Sequence, residues 1–298
     1  MREFDLIKLA SEIFRTKKEE VLAGAGEDDC AVIRIGNKNV LLTADSLHER
    51  TDFPPGMLPE EMGHMALAVN LSDIAGSGGK PHYFLFTITL PEEKLFKGIL
   101  NGMANIADRY DVSVVGGDID SGDELAISGF AIGTAERYVK QSGAIATERV
   151  CLTGSLGKAQ LSLEQLFSGF SRDELTFPDK LFTPEPRVFE GIELAGHVSA
   201  MTDVSDSLAV SLNLISEKSG KGIVIEKSLL PLEHLTEFVN EEKALDLFLY
   251  SGGDYELVYT SKECTHGFEI GKVVNEKGVW LKTKDEKKRI EFKGYSHF

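Results

Sequence analysis

Cysteine is scarce, and the three present, Cys30, Cys151 and Cys264, stand far apart with no paired spacing. That excludes the usual zinc spacings and gives no sign of a disulfide framework, so all three read as small core hydrophobes. No apolar run is long enough to span a bilayer, and none near the N-terminus resembles a signal peptide, so a cytoplasmic location is expected. Positive charge is short: 32 Lys and Arg against 48 Asp and Glu leave a formal net charge of -16. That balance disfavours nucleic acid or an anionic membrane as partner and suits a protein that gathers cations. Low-complexity segments and short-period repeats are missing. Familiar phosphate-binding signatures are missing too. Gly154-Ser155-Leu156-Gly157-Lys158 is too short for a P-loop and lacks a hydroxyl residue after the lysine, so it reads as a turn into a helix. The protein-kinase signature set is absent.

What is present is a run from Pro59 in which Met62, Met65, Ala66 and Val69 recur at helical spacing, with Asp73 next on the stripe. Gly76, Gly78 and Gly79 then stop the helix. A carboxylate thereby falls on a buried face near the negative end of a helix dipole, where ionisation is doubly disfavoured. Either Asp73 keeps its proton or a cation sits against it.

In chain order, residues 1–20 read as a helix with Phe4, Ile7, Ala10, Ile13 and Phe14 on its apolar side. Glu27-Asp28-Asp29 follows in a glycine-rich loop. Strands over 30–35 and 40–45 form a hairpin whose outer ends carry Asp29 and Asp45. After the Asp73 helix come a strand over 83–90, a helix over 92–110, a buried strand over 112–115 leading into Gly116-Gly117-Asp118, and a strand over 125–134. The second half starts at a strand over 149–154. It continues with helices near 158–168 and 186–197, Met201-Thr202-Asp203-Val204-Ser205-Asp206, and a helix with Ser205 as its N-cap. A strand over 222–226, a helix over 241–250 and a strand over 255–260 complete an alternating α/β pattern. The polar stretch 136–148 marks the boundary between units 1–138 and 139–298.

Asp29, Asp45, Asp73, Asp118 and the pair Asp203 and Asp206 share a setting: most end a predicted element beside small residues. A single such Asp is usually a cap or turn former. Several of them, without His or Cys companions, form the oxygen donor set of Mg²⁺, which points to magnesium-dependent phosphoryl chemistry.

Gly26-Glu27-Asp28-Asp29-Cys30-Ala31-Val32-Ile33, Thr43-Ala44-Asp45 and Ala68-Val69-Asn70-Leu71-Ser72-Asp73-Ile74-Ala75 resemble, in order and spacing, motifs of the thiamine-monophosphate kinase family. So do Gly116-Gly117-Asp118, Thr202-Asp203-Val204-Ser205-Asp206, Gly252-Gly253-Asp254-Tyr255-Glu256-Leu257 and Gly294-Tyr295-Ser296-His297-Phe298. The wider superfamily includes aminoimidazole-ribonucleotide synthetase, selenophosphate synthetase and hydrogenase maturation proteins. The resemblance implies a two-domain α/β (α+β) fold whose N-terminal sheets form a barrel across a homodimer, with a C-terminal α/β domain and ATP in a cleft between the domains. It implies Asp29, Thr43, the Ala44 carbonyl, Asp45, Asp73, Asp118, Asp203 and Asp206 as ligands of several Mg²⁺ ions. Gly117, Asp118, Gln141 and Ser205 would face ATP, and Asp52, Gly253 and Tyr295 would face thiamine monophosphate.

The chain also departs from the family pattern. Asp52-Phe53 stands where His-Phe is usual, Gly253 for a Glu, Gln141 for an Arg, Ser207 for a Gly and Ala44 for a Thr or Ser. The first two resemble an archaeal-type branch. The implied reaction is direct transfer of the ATP γ-phosphoryl group to the monophosphate, needing no general base. Rival readings are a kinase for another small phosphate ester or alcohol, for which Asp52 or Asp254 would be the base, and a non-catalytic nucleotide-binding paralogue.

Overall fold

The computed structural model describes residues 3–14 and 18–296. The terminal His297 and Phe298 and the Phe4 side chain lie outside the described residues.

The first half opens with α1 (Glu3–Ile13), β1 (Val21–Ala23), β2 (Ala31–Ile35), β3 (Lys38–His48) and α2 (Pro59–Gly76). It continues with β4 (Lys80–Leu90), α3 (Phe96–Arg109), β5 (Ser113–Ser121) and β6 (Ala126–Ala135). These strands make one six-stranded sheet in the order β1-β2-β3-β6-β4-β5, antiparallel except for the parallel pair β4–β5. Alternation decides its faces. Leu41 and Leu47 of β3, Phe84, Phe86 and Ile88 of β4, and Ile127 and Ala131 of β6 turn inward onto α2 and α3. The opposite face is open, with Tyr83 49% and Phe130 42% exposed.

Helix α2 is buried nearly all round, as expected of a central core helix rather than a surface one. Pro59 starts it, and the Leu58 N–H donates to Glu61 Oε2 at 2.8 Å. A β-carbon on Gly63 would stand 1.9 Å from the Ile99 carbonyl oxygen, and one on Gly102 would stand 1.7 Å from that of Glu60. The α2 and α3 backbones thus meet directly where both side chains are missing.

The second half contains β7 (Arg149–Leu152), α4 (Lys158–Phe167), α5 (Pro178–Phe182), α6 (Val188–Leu194), β8 (Ala200–Val204) and α7 (Leu208–Ser219). After these come β9 (Gly222–Glu226), α8 (Glu233–Thr236), α9 (Glu241–Tyr250), β10 (Glu256–Ser261), β11 (Phe268–Val274), β12 (Gly278–Lys282) and β13 (Lys287–Arg289). The seven strands run β13-β12-β9-β11-β7-β10-β8, with only β9–β12 parallel among the pairings. Leu208, Leu212 and Ile215 of α7 join Leu247 and Phe248 of α9 in the core on this sheet. The α/β expectation holds at the level of two mixed sheets with packed helices.

Several expectations need correcting. The first helix ends at Ile13, and among the described residues its apolar side is not buried: Ile7 is 41% exposed, and Ile13 and Phe14 are 65% and 68% exposed. Val112 is buried as expected, but Ser113-Val114-Val115 opens an exposed edge strand, and Gly116-Gly117-Asp118 lies within it. Cys151 and Cys264 are not independent hydrophobes but a disulfide, with Cα atoms 5.7 Å apart. The topology explains this: β10 and β11 flank β7 on either side, so their connection, which carries Cys264, passes over the Cys151 strand. Cys30 alone is the buried free thiol expected of all three.

Candidate active site

A cleft of about 940 Å³ runs between α2, the end of β3 and the loop after it on one side, and the β8–α7 turn, α4 and the C-terminal segment on the other. Asp45, Asp52, Asp73, Asp203, Ser205, Asp206, Gly253 and Tyr295 all line it. So do Met62, Met65, Val69 and Asp73 of the expected stripe, which makes that face of α2 a cleft wall, while Ala66 packs into the core.

Each acid is positioned by local structure. In β3 the residues alternate, so Thr43 and Asp45 face inward to α2 while Ala44 faces the open side. Asp45 sits within β3, not at its end as the hairpin pattern predicts. The Thr43 hydroxyl donates to Asp73 Oδ2. One helical position earlier, Ser72 Oγ donates to Asp203 Oδ2 at 2.6 Å. Asp29 accepts from Thr202 Oγ1 at 2.8 and 2.9 Å. Gly76 makes this approach sterically feasible, because a β-carbon there would lie 2.8 Å from the Asp203 nitrogen and 2.9 Å from Asp29 Oδ2. The last turn of α2 is therefore wedged between acids from both halves.

The electrostatics follow. Burial, then repulsion from Asp45, Asp203 and Asp29, holds the Asp73 carboxyl well above the ordinary range. Burial, then Asp203 and Asp28, does the same for Asp29. Burial also raises Asp45, and it pushes Asp203 up to about 7. Asp45 Oδ2 is buried with no hydrogen-bond partner. Among the described residues, no group of three or more His, Cys, Asp and Glu side chains is already gathered as a metal cage. Converging hard oxygens, one of them orphaned, fit a cation that completes its shell with water and substrate phosphates, as Mg²⁺ does.

These shifts carry a pH dependence. Asp28 and Asp203, raised to about 6 and about 7, keep protons in the folded chain at pH values where the unfolded chain, near 3.8, has lost them. The folded state then binds more protons, so stability falls as pH rises through that window. Thermal unfolding in EDTA should show a melting temperature that declines between these limits, and a rising profile would contradict the arrangement.

The remaining expected residues divide. Ser205 lines the cleft but does not cap α7. Ser207 does, accepting from the Val210 N–H at 3.0 Å while its hydroxyl donates to the Lys293 carbonyl at 2.8 Å. Gly253, at φ +86°, donates its N–H to the Ser205 carbonyl at 2.8 Å. Gln141 is 2% exposed and lies behind Asp29. Asp52 Oδ2 accepts from the His48 N–H and the Thr51 hydroxyl, both at 2.8 Å, and so closes the loop after β3. Asp254 is committed elsewhere: it accepts the Gly157 and Ala159 N–H groups at 2.6 and 3.1 Å, capping α4. This confirms the turn-into-helix reading of residues 154–158. Gly117 and Asp118 do not line the cleft. The register Asp45–Gly129–Phe86–Gly117 puts them three strands away, with Asp118 on the open face.

Sequence reasoning misses Tyr255 as a cleft residue. It lines the cleft at φ +51°, a left-handed conformation that a bulky residue holds only where its surroundings compel it. Burial, then Asp45 and Asp203, raises its phenol. The sequence carries no signal for Lys218 either, which stands behind Asp29 through Gln141.

Residues 27–135 match the family described as AIR synthase related protein, N-terminal domain. The chain is 50% identical to the thiamine-monophosphate kinase of Archaeoglobus fulgidus over 298 residues, covering 100% of this chain and 98% of that protein. The chain belongs to the thiamine-monophosphate kinase family. The Escherichia coli K12 member of this family is 30% identical over 99% of the chain and 98% of its own length. Among solved family structures, AaThiL complexed with AMPPCP and TMP superposes with a TM-score of 0.87 at 29% identity, covering 100% of this chain and 97% of that one.

Proposed function

We propose that this chain catalyses ATP-dependent phosphorylation of thiamine monophosphate to thiamine diphosphate, with Mg²⁺ held by its convergent aspartates. The observation that carries this is the meeting of Asp45 and Asp73 from the first half with Asp203 and Asp206 from the second around one cleft, with Asp29 directly behind Asp73 and Asp203. Whole-length identity to curated kinases and the AaThiL complex with AMPPCP, an ATP analogue, support the same reading.

A phosphate oxygen of the acceptor attacks the γ-phosphorus, and the bond to the β,γ-bridging oxygen breaks. A monoester's second pKa is about 6, so the nucleophile is already ionised and no general base is needed. The commitment of Asp254 to the α4 N-terminus accords with that. The obstacle is the approach of two polyanions, at about 4 kcal/mol per pair of unit charges ~4 Å apart in an effective dielectric of ~20. Bound Mg²⁺ supplies the charge neutralisation. Asp45, Asp73, Asp203 and Asp206 line the acidic wall, Asp29 and Thr43 stand behind it, and the Ala44 carbonyl completes the proposed donor set. Ser205 faces the nucleotide phosphates at the β8–α7 turn, and Gln141 acts from behind. Tyr295, Gly253 and Asp52 border the acceptor.

Asp52 is proposed to meet the thiazolium cation. The expected result for Asp52→Asn is a KM for thiamine monophosphate raised several-fold with that for ATP unchanged, and steady-state kinetics varying each substrate will read it. We further propose units 1–138 and 139–298, and a homodimer formed through the open face of the first sheet, where Tyr83 and Phe130 are exposed. Gly117 and Asp118 enter the site only in such a pair. Light scattering should give a dimer mass that Phe130→Glu reduces to a monomer. The function itself is tested by incubating the chain with ATP, Mg²⁺ and thiamine monophosphate. Thiamine diphosphate and ADP in equal amounts are expected, and no product would overturn the reading.

A further inference from the structure

Behind the acidic wall, on the side away from the cleft, lies a chain of polar contacts that ends on a lysine. Lys218, in the last turn of α7, donates its ammonium to Gln141 Oε1, and to the Glu27 carbonyl at 2.9 Å. The other end of the same amide, Gln141 Nε2, donates to Asp29 Oδ1 at 2.5 Å and to Thr202 Oγ1 at 3.0 Å. Thr202 in turn holds both Asp29 oxygens. The Gln141 backbone N–H reaches the Asp28 carboxylate at 3.2 and 3.3 Å. Neither Lys218 nor Gln141 lines the cleft, so neither touches a substrate there.

We infer that Lys218, acting through the Gln141 amide, is a positioning residue that fixes the Asp29 carboxylate against Asp203 and thereby sets the affinity of the cleft for a divalent cation. The inference rests on the metal-templated reading above. Two adjacent acids, Asp28 and Asp29, are half-buried here, and a charge withdrawn from water without a partner is costly. A lysine or arginine reaching them from the cleft side would occupy the position the metal needs. Lys218 compensates them from the rear and leaves the cleft side open. The amide suits the relay because its oxygen accepts from the ammonium while its nitrogen donates to the carboxylate, so the ammonium need not reach Asp29 itself. A salt bridge made directly to Asp29 would turn its oxygens away from Asp203. Pairing through a neutral spacer keeps the carboxylate oriented by two donors, the Gln141 amide and the Thr202 hydroxyl, and still lowers the cost of its charge.

The test compares wild type, Lys218→Met, Lys218→Arg and Gln141→Met as full-length chains. Mg²⁺ is titrated calorimetrically in the presence of AMPPCP, and thermal unfolding is recorded in parallel. Outer-shell partners of a metal ligand are typically worth about 10–100-fold in affinity, so Lys218→Met and Gln141→Met should weaken Mg²⁺ by at least about tenfold. Lys218→Arg should recover most of the loss. In turnover assays the Mg²⁺ half-saturation should rise by the same factor while the KM for thiamine monophosphate stays within about twofold. Wild-type Mg²⁺ affinity in either methionine variant would overturn the inference. So would a loss that Lys218→Arg fails to restore and that tracks a fallen melting temperature, because Lys218 would then be only a tie between α7 and the loop before Asp29. If Lys218→Met does not fold, Gln141→Met decides. Failure of the kinase reading shows separately, as a wild-type chain that makes no thiamine diphosphate, while the calorimetric ranking of the variants still decides the role of Lys218.

Discussion

Asp73→Asn should leave a folded protein whose turnover has fallen by about three orders of magnitude, roughly 4 kcal/mol of transition-state stabilisation. Asparagine keeps the shape and still accepts from the Thr43 hydroxyl, so neither α2 nor its packing loses a partner. The negative charge goes, in a spot where burial and three neighbouring carboxylates already hold it at high cost. Without metal the variant should therefore melt at the same temperature as wild type or higher, most clearly above pH 7, where repulsion among the acids is strongest. With Mg²⁺ and nucleotide the order should reverse, because the wild type gains from binding and the variant does not. Near-normal kcat would remove Asp73 from the metal site. A lost activity accompanied by a collapsed melting temperature would make the residue structural.

The second large effect concerns the Cys151–Cys264 bridge, which spans a sequence separation of 113. Constraining so long a loop in the unfolded chain is worth about 3–5 kcal/mol when the native geometry is compatible. Cys264→Ser, or reduction of the wild type, should lower the melting temperature by roughly 6 °C for a chain of this length. Kinetic constants should hold, since the bond lies in the second sheet away from the cleft. Unfolding monitored with and without dithiothreitol is the measurement. A Cys264→Ser chain as stable as the parent under oxidising conditions would mean that the thiols are not joined in solution.

Much of the site is legible in the sequence because its cause is local. The stripe Met62, Met65, Val69, Asp73 and the glycines after it fix one helix and its end. The hairpin register then brings the Asp29 end of β2 beside the Asp45 region of β3. Other features depend on partners remote in sequence. The run Val112-Ser113-Val114-Val115 reads as buried because it is β-branched and apolar, yet nothing in those letters says that β5 is the last strand of its sheet. The same holds for α1, whose apolar residues Ile7 and Ile13 are exposed. The cysteine pair requires knowing that β10 and β11 straddle β7. Ser207 reads as a departure at a position usually held by glycine, and only the folded chain shows it capping α7 and tying down the tail that carries Tyr295. Lys218 looks like any surface charge at the end of a helix; its role depends on Gln141, 77 residues earlier.

Gly76 has one more implication. The separation between the acids of the two halves is set by a strip of bare main chain acting as a spacer, with a thickness that no larger residue can reproduce. A change in the grip on the proposed metal therefore has little room at the joint itself. The surrounding hydroxyls and amides, such as Ser72, Thr43, Thr202 and Gln141, are what aim each carboxylate, and they do so without altering how far apart the halves stand.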